Sequence, residues 1–370
     1  MNKPTLVYFN PDCFVDTDIT VIKYLTLDFN VIWFYLYDSS RKESMRYDAS
    51  FVKNYAVKYG LKVVIVDPQL KATDYRKFFF YKKIVRLINS YNPNIVYTGI
   101  RTPYWVIASR LFLKCKNVIL GIHDVKPHSY SNPLTSFIEK YLSSLSIKFN
   151  HHFFTFSPGQ QQILRSQYGK ESVMVGMSLK DFGVSKLKLP NIEDGVKLLF
   201  FGRIELYKGL DGLINTIEEL HREGVTNIQL TIAGNGDYWN NCETCIKTPI
   251  LYNLKIGYIK NEEVSDLMCS HHYLVLPYLN ATQSGPLAIA LAYGLPIIAP
   301  NIGCFKEVYD NKSGVLYNTD SLKDALRIVA EMDVEQYEGL RSSVLVIRDK
   351  YSELNIANNY IKAFNSFFEK

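Results

Sequence analysis

Short apolar runs alternate with longer amphipathic segments along the whole chain. The apolar runs are rich in β-branched and aromatic residues without strict alternation, so they predict parallel strands that are buried on both faces. In the first half they lie at Thr5–Phe9, Val31–Tyr37, Val63–Val66, Ile95–Tyr97, Val118–Ile122 and Phe153–Phe156. In the second half they lie at Lys197–Phe201, Gln229–Ala233, Leu254–Gly257, Tyr273–Leu276, Pro296–Ala299 and Gly314–Leu316. Two such series in succession predict an α/β protein with two doubly wound, Rossmann-like lobes.

The break between the two series falls near residues 178–195. Residues 187–195 are polar, contain Pro190 and have no helical or strand period, as is typical of a linker. We therefore predict a first lobe over residues 1–182, a linker over 183–195 and a second lobe over 196–348. Residues 349–370 have the apolar spacing of an amphipathic helix, and we expect this helix to pack back on the first lobe.

Composition and charge narrow the class of protein. A chain of 370 residues with 47% hydrophobic and 21% charged residues is ordinary for a soluble protein of two domains. No apolar stretch approaches the length needed to span a bilayer, and the first residues lack the apolar core of a signal peptide. The six cysteines are scattered, which fits a reducing cytoplasm. We therefore expect a cytoplasmic protein.

Zinc is a weaker alternative for part of the second lobe. Cys242 and Cys245 are spaced as a metal-binding pair, and Cys269 and His271 follow them. However, the sequence pattern predicts a helix, a loop, a strand and a helix of one α/β unit here. A second pair of cysteines with the same close spacing is missing from the sequence. We expect no bound metal and no cofactor.

The second lobe has three loops suited to an anionic ligand, since ligands of open α/β sheets bind at the carboxyl ends of the strands. In the first loop a strand ends at Gly202, and Arg203 and Lys208 follow before the next helix. Arg203 can bind two phosphate oxygens at once, and Lys208 adds a point charge. Two solvated cations beside a helix are the alternative interpretation.

The second loop leads into a helix whose start predicts an anion site. Ser284 or Gly285 is the expected N-cap, and Pro286 fits the first turn because its missing N–H is not needed there. Free amide groups and the positive end of the helix dipole favour anions at such a start. The expected donors are the amides of residues 284, 285, 287 and 288, together with the hydroxyl groups of Ser284 and Thr282. A plain capped helix is the alternative.

The third loop, Gly234-Asn235-Gly236, ends a strand with a tight turn. It does not complete the glycine fingerprint of dinucleotide cofactors, which argues against a nucleotide-dependent oxidoreductase.

Taken in order, these loops resemble glycosyltransferase family 4. The shared pattern is Phe-Gly-Arg…Lys-Gly, Ile-Ala-Gly-Asn-Gly, and Leu-Pro-Tyr…Ser-Gly-Pro…Ala-Tyr-Gly-Leu-Pro, and it covers Lys197 to about Asp324. The resemblance implies a GT-B fold, with two lobes facing each other across a cleft, and retaining chemistry. It also implies that Arg203 and Lys208 bind the donor diphosphate, that Gln283–Leu287 cradle it, and that the nucleotide lies at Gly234, Asn235, Gly236, Tyr258 and Ile259.

This chain departs from the family at two positions. Family members usually carry two glutamates eight positions apart around this helix start, one for the transferred sugar and one for the ribose. Ala281 and Ile289 stand at those places, so the chain resembles the branch with Ala-Thr-Gln-Ser-Gly here. Thr282 and Gln283 must then supply polar contacts. Glu307 could compensate, or it could simply be a glutamate in the first turn of the next helix.

In the first lobe, a strand runs into the polar loop His123-Asp124-Val-Lys-Pro-His128. The loop resembles one of the same branch, which implies that His123, Asp124 and His128 are cleft residues on the acceptor side. His123 could act as a base or as a hydrogen-bond partner, and positioning is the preferred interpretation for all three residues.

Residues 75–88 combine five cations with four consecutive aromatic residues on a predicted helix. Such a helix could lie on an anionic membrane surface, or its aromatic residues could pack inside the first lobe. No nucleic-acid-binding module accompanies the segment, so we expect no nucleic acid partner.

These observations predict an enzyme that moves a sugar from a nucleotide-diphosphate sugar to a glycan or polyprenyl-linked acceptor, and the family resemblance implies a setting in bacterial surface polysaccharide synthesis. The alternative is a non-catalytic nucleotide-sugar-binding or partner subunit on the same scaffold.

Overall fold

The computed structural model describes residues 3–37, 47–70, 74–125, 144–281, 284–318 and 321–368. The chain divides into two compact units, of which unit 1 is Met1–Ser178 with Glu353–Lys370 and unit 2 is Leu179–Ser352. Residues 179–182, which the sequence pattern assigned to the first lobe, therefore lie in unit 2. Backbone hydrogen bonds hold them there: Leu179 N donates to Tyr351 O, and Lys180 N donates to Ala288 O.

Unit 1 is built on a parallel sheet of seven strands in the order β3-β2-β1-β4-β5-β6-β7. The strands are β1 (Thr5–Pro11), β2 (Asn30–Leu36), β3 (Lys62–Val66), β4 (Ile95–Thr98), β5 (Val118–Ile122), β6 (His152–Thr155) and β7 (Val173–Met174). Its helices are α1 (Val15–Leu25), α2 (Ala49–Lys58), α3 (Arg76–Ser90), α4 (Pro103–Phe112) and α5 (Pro158–Tyr168), and residues 144–149 are also helical.

Both faces of this sheet are covered, which explains why its strands show no alternation of apolar and polar residues. Phe9 and Phe34 pack with Trp105 on the side of α3 and α4. The ring of Tyr97 packs on Tyr360 of the last helix.

Unit 2 repeats the arrangement with six parallel strands in the order β10-β9-β8-β11-β12-β13. The strands are β8 (Val196–Phe201), β9 (Ile228–Gly234), β10 (Tyr252–Ile256), β11 (Tyr273–Val275), β12 (Ile297–Pro300) and β13 (Val315–Tyr317). The helices are α6 (Leu210–Arg222), α7 (Trp239–Glu243), α8 (Asn261–Cys269), α9 (Gly285–Ala292), α10 (Gly303–Val308), α11 (Leu322–Ala330) and α12 (Val334–Lys350).

The last helix, α13 (Glu353–Asn365), belongs to unit 1. Lys23 on α1 forms a salt bridge with Glu353 at its start. Its buried Phe364 packs against Phe29, Tyr97 and Phe154. The amphipathic spacing of this segment therefore reflects burial against unit 1.

In each sheet the chain leaves the central strand, β1 or β8, toward one edge and later returns to its other side. Ligands of doubly wound sheets bind at the carboxyl ends of the strands where this reversal occurs. In unit 2 the reversal lies between β8 and β11, and the loops after these strands carry Arg203, Lys208 and Ser284. Within the described residues, no helix is long and apolar enough to cross a membrane.

Candidate active site

The loop after β8 turns sharply at Gly202, whose φ of +118° favours glycine. A β-carbon at this position would lie 3.2 Å from Lys208 Nζ and 3.4 Å from Pro286 Cγ. The loop after β8 and the start of α9, two regions that the sequence singled out, therefore meet at Gly202.

Lys208 lies in a 3-10 turn, Leu206–Lys208, just before α6. Its side chain is buried, and Nζ is 5.2 Å from the centre of the Tyr278 ring. Burial lowers the pKa of Lys208 to about 8, an effect that Glu205 opposes and Arg203 increases. No carboxylate among the described residues lies within salt-bridge distance of Nζ. A bound anion would offset the desolvation of this ammonium group, so Lys208 is a candidate anion-binding residue.

Arg203 differs from Lys208 in its exposure. Its side chain is 79% exposed, and its only contact of salt-bridge length among the described residues is with Glu205, 3.3 Å away. An exposed ion pair of this kind contributes little to stability, so the guanidinium is available to a ligand.

The start of α9 has the predicted capping. Ser284 is the N-cap, and its Oγ accepts from the Leu287 amide at 3.3 Å, with Pro286 in the first turn. The Ala288 amide donates to Ser284 O. Two of the four amides expected to bind phosphate are thus used by the helix itself, and those of Ser284 and Gly285 remain the better candidates. Thr282 and Gln283 lie outside the described residues.

Backbone-to-backbone approaches fix these loops. A β-carbon at Gly234 would collide with Gly202 O, one at Gly236 with Ile204 O, and one at Gly209 with Pro277 O. Ile204 N also donates to Asn235 O at 2.7 Å. The glycines in the third loop therefore let β8 and β9 approach closely, which is a structural role in addition to any contact with a nucleotide.

The remaining predicted residues of unit 2 are more dispersed. Tyr258 is exposed after β10, and Ile259 packs partly into the core. Ala281 and Ile289 are buried and apolar. The interpretation of Glu307 as a first-turn residue is wrong, because α10 begins at Gly303 and Glu307 lies next to its last residue.

In unit 1, the loop after β5 places His123 between two aromatic rings. The imidazole is stacked on Phe14 at 4.2 Å between ring centres and on Phe156 at 3.8 Å. Asp124 follows, and its carbonyl oxygen accepts from Arg101 Nη1 at 2.9 Å. Burial lowers the pKa of Arg101, and Asp124 opposes that change. His128 lies outside the described residues.

A buried carboxylate lies near the same edge. Asp18 Oδ1 accepts from Tyr8 Oη at 2.7 Å and from Asn10 Nδ2 at 2.9 Å, whereas Oδ2 has no hydrogen-bond partner among the described residues. Burial raises the pKa of Asp18 to about 7, although both hydrogen bonds act to lower it.

The cysteine pair of the zinc alternative lies on and after α7. Cys242 is buried, and burial raises the pKa of its thiol to about 12, which disfavours the thiolate that binds metals. Within the ranges that the structure describes, no group of three His, Cys, Asp or Glu side chains could hold a metal ion.

Sequence reasoning missed three aromatic residues of these edges: Phe14, Phe156 and Tyr278. Tyr278 was visible only as part of the Leu-Pro-Tyr pattern. The two phenylalanines follow strands far apart in the chain, so no local pattern could connect them with His123.

Comparison with known proteins supports the fold and the family of unit 2. Residues 195–331 match the model of the family described as glycosyl transferases group 1. A glycosyltransferase from Rickettsia africae has a TM-score of 0.72 at 15% identity, with all of both chains covered. The Anabaena protein HepE, solved with UDP, has a TM-score of 0.72 at 12% identity, covering 98% of this chain and 100% of that one. The chain thus has the GT-B fold.

A curated relative aligns with only part of the chain. An uncharacterized 41.2 kDa protein in the cps region of Klebsiella pneumoniae is 26% identical over 183 residues, which are 47% of this chain and 48% of that protein. The chain therefore spans about half the length of the curated relative it matches.

Proposed function

We propose that this chain, whose residues 195–331 match the group 1 glycosyl transferases, moves a sugar from a nucleotide-diphosphate sugar to an acceptor. The observation that carries the proposal is Lys208, a buried cation near the start of α9 and the exposed Arg203, with no carboxylate partner in the part of the chain that the structure describes. A diphosphate is the anion that two cations and a helix start suit best.

The proposed chemistry depends on the leaving group. As the glycosidic bond breaks, negative charge grows on the departing diphosphate, and fixed cations accelerate the step if they bind that charge more strongly than the ground state. Arg203, Lys208 and the amides of Ser284 and Gly285 are the groups for this role. We propose retaining chemistry without a bound metal.

Relatives support the class of donor and the setting. HepE was solved with UDP, and another protein of the same fold is a lipopolysaccharide outer core galactosyltransferase, with a TM-score of 0.71 at 13% identity. The Klebsiella relative is encoded in a cps region. We propose a UDP-sugar donor and a glycan or polyprenyl-linked acceptor of a bacterial surface polysaccharide, with unit 1 on the acceptor side.

A screen of nucleotides and nucleotide-sugars for thermal stabilisation, followed by assays of hydrolysis and transfer, tests the proposal. Stabilisation by a nucleoside diphosphate and release of that diphosphate from its sugar conjugate are expected. No stabilisation by any of these ligands would contradict the donor site. UDP binding without turnover would favour the alternative of a non-catalytic binding subunit, which the buried, apolar Ala281 and Ile289 make the second candidate.

We also propose that unit 1 binds an anionic membrane surface, on the cytoplasmic side. The aromatic residues of α3 are divided between its two faces: Phe78 and Phe80 pack partly on the core and Tyr81 is buried, whereas Phe79 is 60% exposed. Lys83 is exposed on the same face as Phe79. The helix thus combines an inner face that packs on the sheet with an outer face that suits a lipid interface.

The neighbouring helix extends this outer face. Lys82 Nζ lies 4.7 Å from the ring of Phe112, so α3 and α4 are in contact, and α4 exposes Ile107 and Leu111. No acidic residue occurs between Asp74 and Asp124, a stretch that contains nine Lys and Arg residues. Asp74 pairs with Arg76 at the start of α3, but the remaining basic and exposed apolar side chains favour anionic lipid over solvent.

Flotation with liposomes tests this surface. The protein should float with phosphatidylglycerol vesicles and remain behind with phosphatidylcholine vesicles. Each basic residue near an anionic surface contributes ~1 kcal/mol, so combining Lys83→Glu with Arg86→Glu should weaken binding more than about tenfold. Lys53→Glu on α2 is the matched control and should float normally. Flotation of the double variant at wild-type levels would contradict the assignment.

A further inference from the structure

The imidazole of His123 is covered on both faces. The planes of Phe14 and His123 differ by 10°, and those of Phe156 and His123 differ by 8°. The three residues follow three different strands, β1, β5 and β6, so each reaches the stack from its own loop. His123 is half-buried, and a ring lies on each face of its imidazole.

The position of Phe14 is fixed in turn by the neighbouring strand. A β-carbon at Gly99, just after β4, would lie 3.1 Å from the ring of Phe14 and 3.1 Å from Asn10 Oδ1. The Gly99 amide donates to Asn10 Oδ1 at 2.6 Å, and Asn10 Nδ2 donates to the buried Asp18. A chain of contacts therefore runs from the interior of the sheet to His123.

We propose that Phe14 and Phe156 are positioning residues for the transfer reaction, which hold the plane of the His123 imidazole in a fixed orientation toward the acceptor. Rotation of the imidazole out of its plane would require both phenyl rings to move. A fixed ring loses little conformational entropy on binding and keeps its hydrogen bond in the productive direction. This role rests on the proposed glycosyltransferase activity, whereas the stack itself does not.

Proton NMR of the protein tests the stack without any assay. The carbon-bound ring protons of His123, identified by their absence in His123→Ala, should appear at unusually high field because they lie over two aromatic faces. Phe156→Leu should move them toward ordinary values, and Gly99→Ala should move them by less. Phe367→Leu is the matched control, because Phe367 contacts His152 edge-on at the opposite end of the strands. Ordinary shifts for His123 in the wild-type protein would overturn the proposal.

Acceptor kinetics test the positioning role. Phe156→Leu should lower kcat/KM for the acceptor about tenfold, Phe156→Tyr should restore most of it, and the affinity for UDP should stay unchanged. In the His123→Ala background, Phe156→Leu should have no further effect, because it acts through the imidazole. Equal losses in both backgrounds, or loss of UDP affinity, would show a merely structural residue and overturn the proposal.

The two failures remain distinguishable. If the wild-type protein transfers no sugar, the proposed function fails and the positioning role fails with it. If transfer occurs but the His123 protons or the double variant behave otherwise than expected, the positioning role fails alone.

Discussion

The two units bury ionisable side chains of opposite sign after their central strands. Asp18 lies on α1, which follows β1, and Lys208 lies in the turn that follows β8. Asp18 is surrounded by donors from its own unit, Tyr8 and Asn10. Lys208 contacts the face of Tyr278 and has no carboxylate partner among the described residues. Asp18 thus accepts hydrogen bonds within its own unit at one carboxylate oxygen, whereas the ammonium group of Lys208 is a candidate to bind a ligand.

The same two edges also differ in how their loops are held. In unit 2, the backbone at Gly234 approaches the backbone of Gly202 too closely for any side chain. In unit 1, Gly99 faces side chains, the amide of Asn10 and the ring of Phe14. A side chain at Gly234 would therefore meet backbone atoms, whereas the nearest neighbours of one at Gly99 are side-chain atoms, which can shift. This contrast predicts different responses to equivalent substitutions.

Gly234→Ala should have the largest effect. The new methyl group would collide with Gly202 O, and a φ of +147° is one that alanine rarely adopts. We expect a loss of about 4 kcal/mol or more in the free energy of unfolding of unit 2, enough to lower soluble yield. Gly99→Ala is the control in unit 1 and should fold, since its neighbours are side chains. Equal thermal stability of the two variants would contradict the proposed difference between backbone packing at Gly234 and side-chain packing at Gly99.

Asp18→Asn should change how the stability of unit 1 depends on pH. The folded-state pKa of about 7 lies above the ordinary 3.8, so between these values the folded unit holds a proton that the unfolded chain has lost. Stability should therefore fall as pH rises toward 7, by as much as ~4 kcal/mol, and level off above it. Asp18→Asn should lack this slope and be more stable at pH 8, as hydrogen exchange of α1 amides would measure.

The exposed Asp28→Asn serves as the control for Asp18→Asn, and it should retain the wild-type slope. If Asp18→Asn kept the slope as well, Asp18 would not be the buried acid responsible for it.

Arg203→Ala should lower turnover by about 10²- to 10³-fold, because a cation aimed at the leaving diphosphate contributes roughly 3–4 kcal/mol to the transition state. The fold should be unaffected, since the side chain is largely exposed and its partner Glu205 is close to the surface. Steady-state assays with the donor identified by thermal stabilisation measure the effect. Lys323→Ala, a surface lysine of unit 2, should have wild-type activity. Near-normal transfer by Arg203→Ala would contradict the assignment of Arg203 to the donor site.

Much of unit 2 follows from the sequence because its signals are local. A strand that ends in Gly202-Arg203 and a capped helix at Ser284 each occupy a few consecutive residues, so the pattern predicts both elements and their chemistry. The parallel order of the strands then brings the two loops together. What the pattern could not show is that Lys208 is buried, since its partner Tyr278 lies 70 positions away.

Unit 1 was less predictable for the same reason. His123 was singled out by its loop, but Phe14 and Phe156 approach it from other strands, and contacts at such separations leave no period in the sequence. The predicted break between the units also lies a few residues late, because the Leu179 and Lys180 amides donate to backbone oxygens of Tyr351 and Ala288, which are distant in the chain. Glu307 was placed in the first turn of α10 because Gly303 and Cys304 give no capping signal.

Lys208→Met should stabilise unit 2 while abolishing donor binding. The folded-state pKa of about 8 lies below the ordinary 10.5, so below pH 8 the folded unit keeps a charge that burial disfavours by ~3 kcal/mol. Methionine fills a similar volume without a charge, and we expect unfolding of the free protein at pH 7 to move up by several degrees. UDP should no longer stabilise the variant. A lower melting temperature than wild type would contradict the view that burial of the Lys208 charge destabilises the free protein.

The smallest expected effect is a pH dependence of UDP affinity. It tests whether Lys208 of unit 2 contacts the ligand, in contrast to the enclosed Asp18 of unit 1. A bound diphosphate favours protonated Lys208, whose pKa in the free protein is about 8, so below that pH the ammonium is already present. Above it, binding must take up a proton, and the dissociation constant should rise by up to about tenfold per pH unit. Calorimetry in buffers of different ionisation enthalpy measures this uptake directly. In Lys208→Arg the guanidinium stays charged, so the same titrations should show weaker pH dependence and no uptake at this site. If wild type and Lys208→Arg took up protons equally, the titrating group would be the uracil or another residue rather than Lys208.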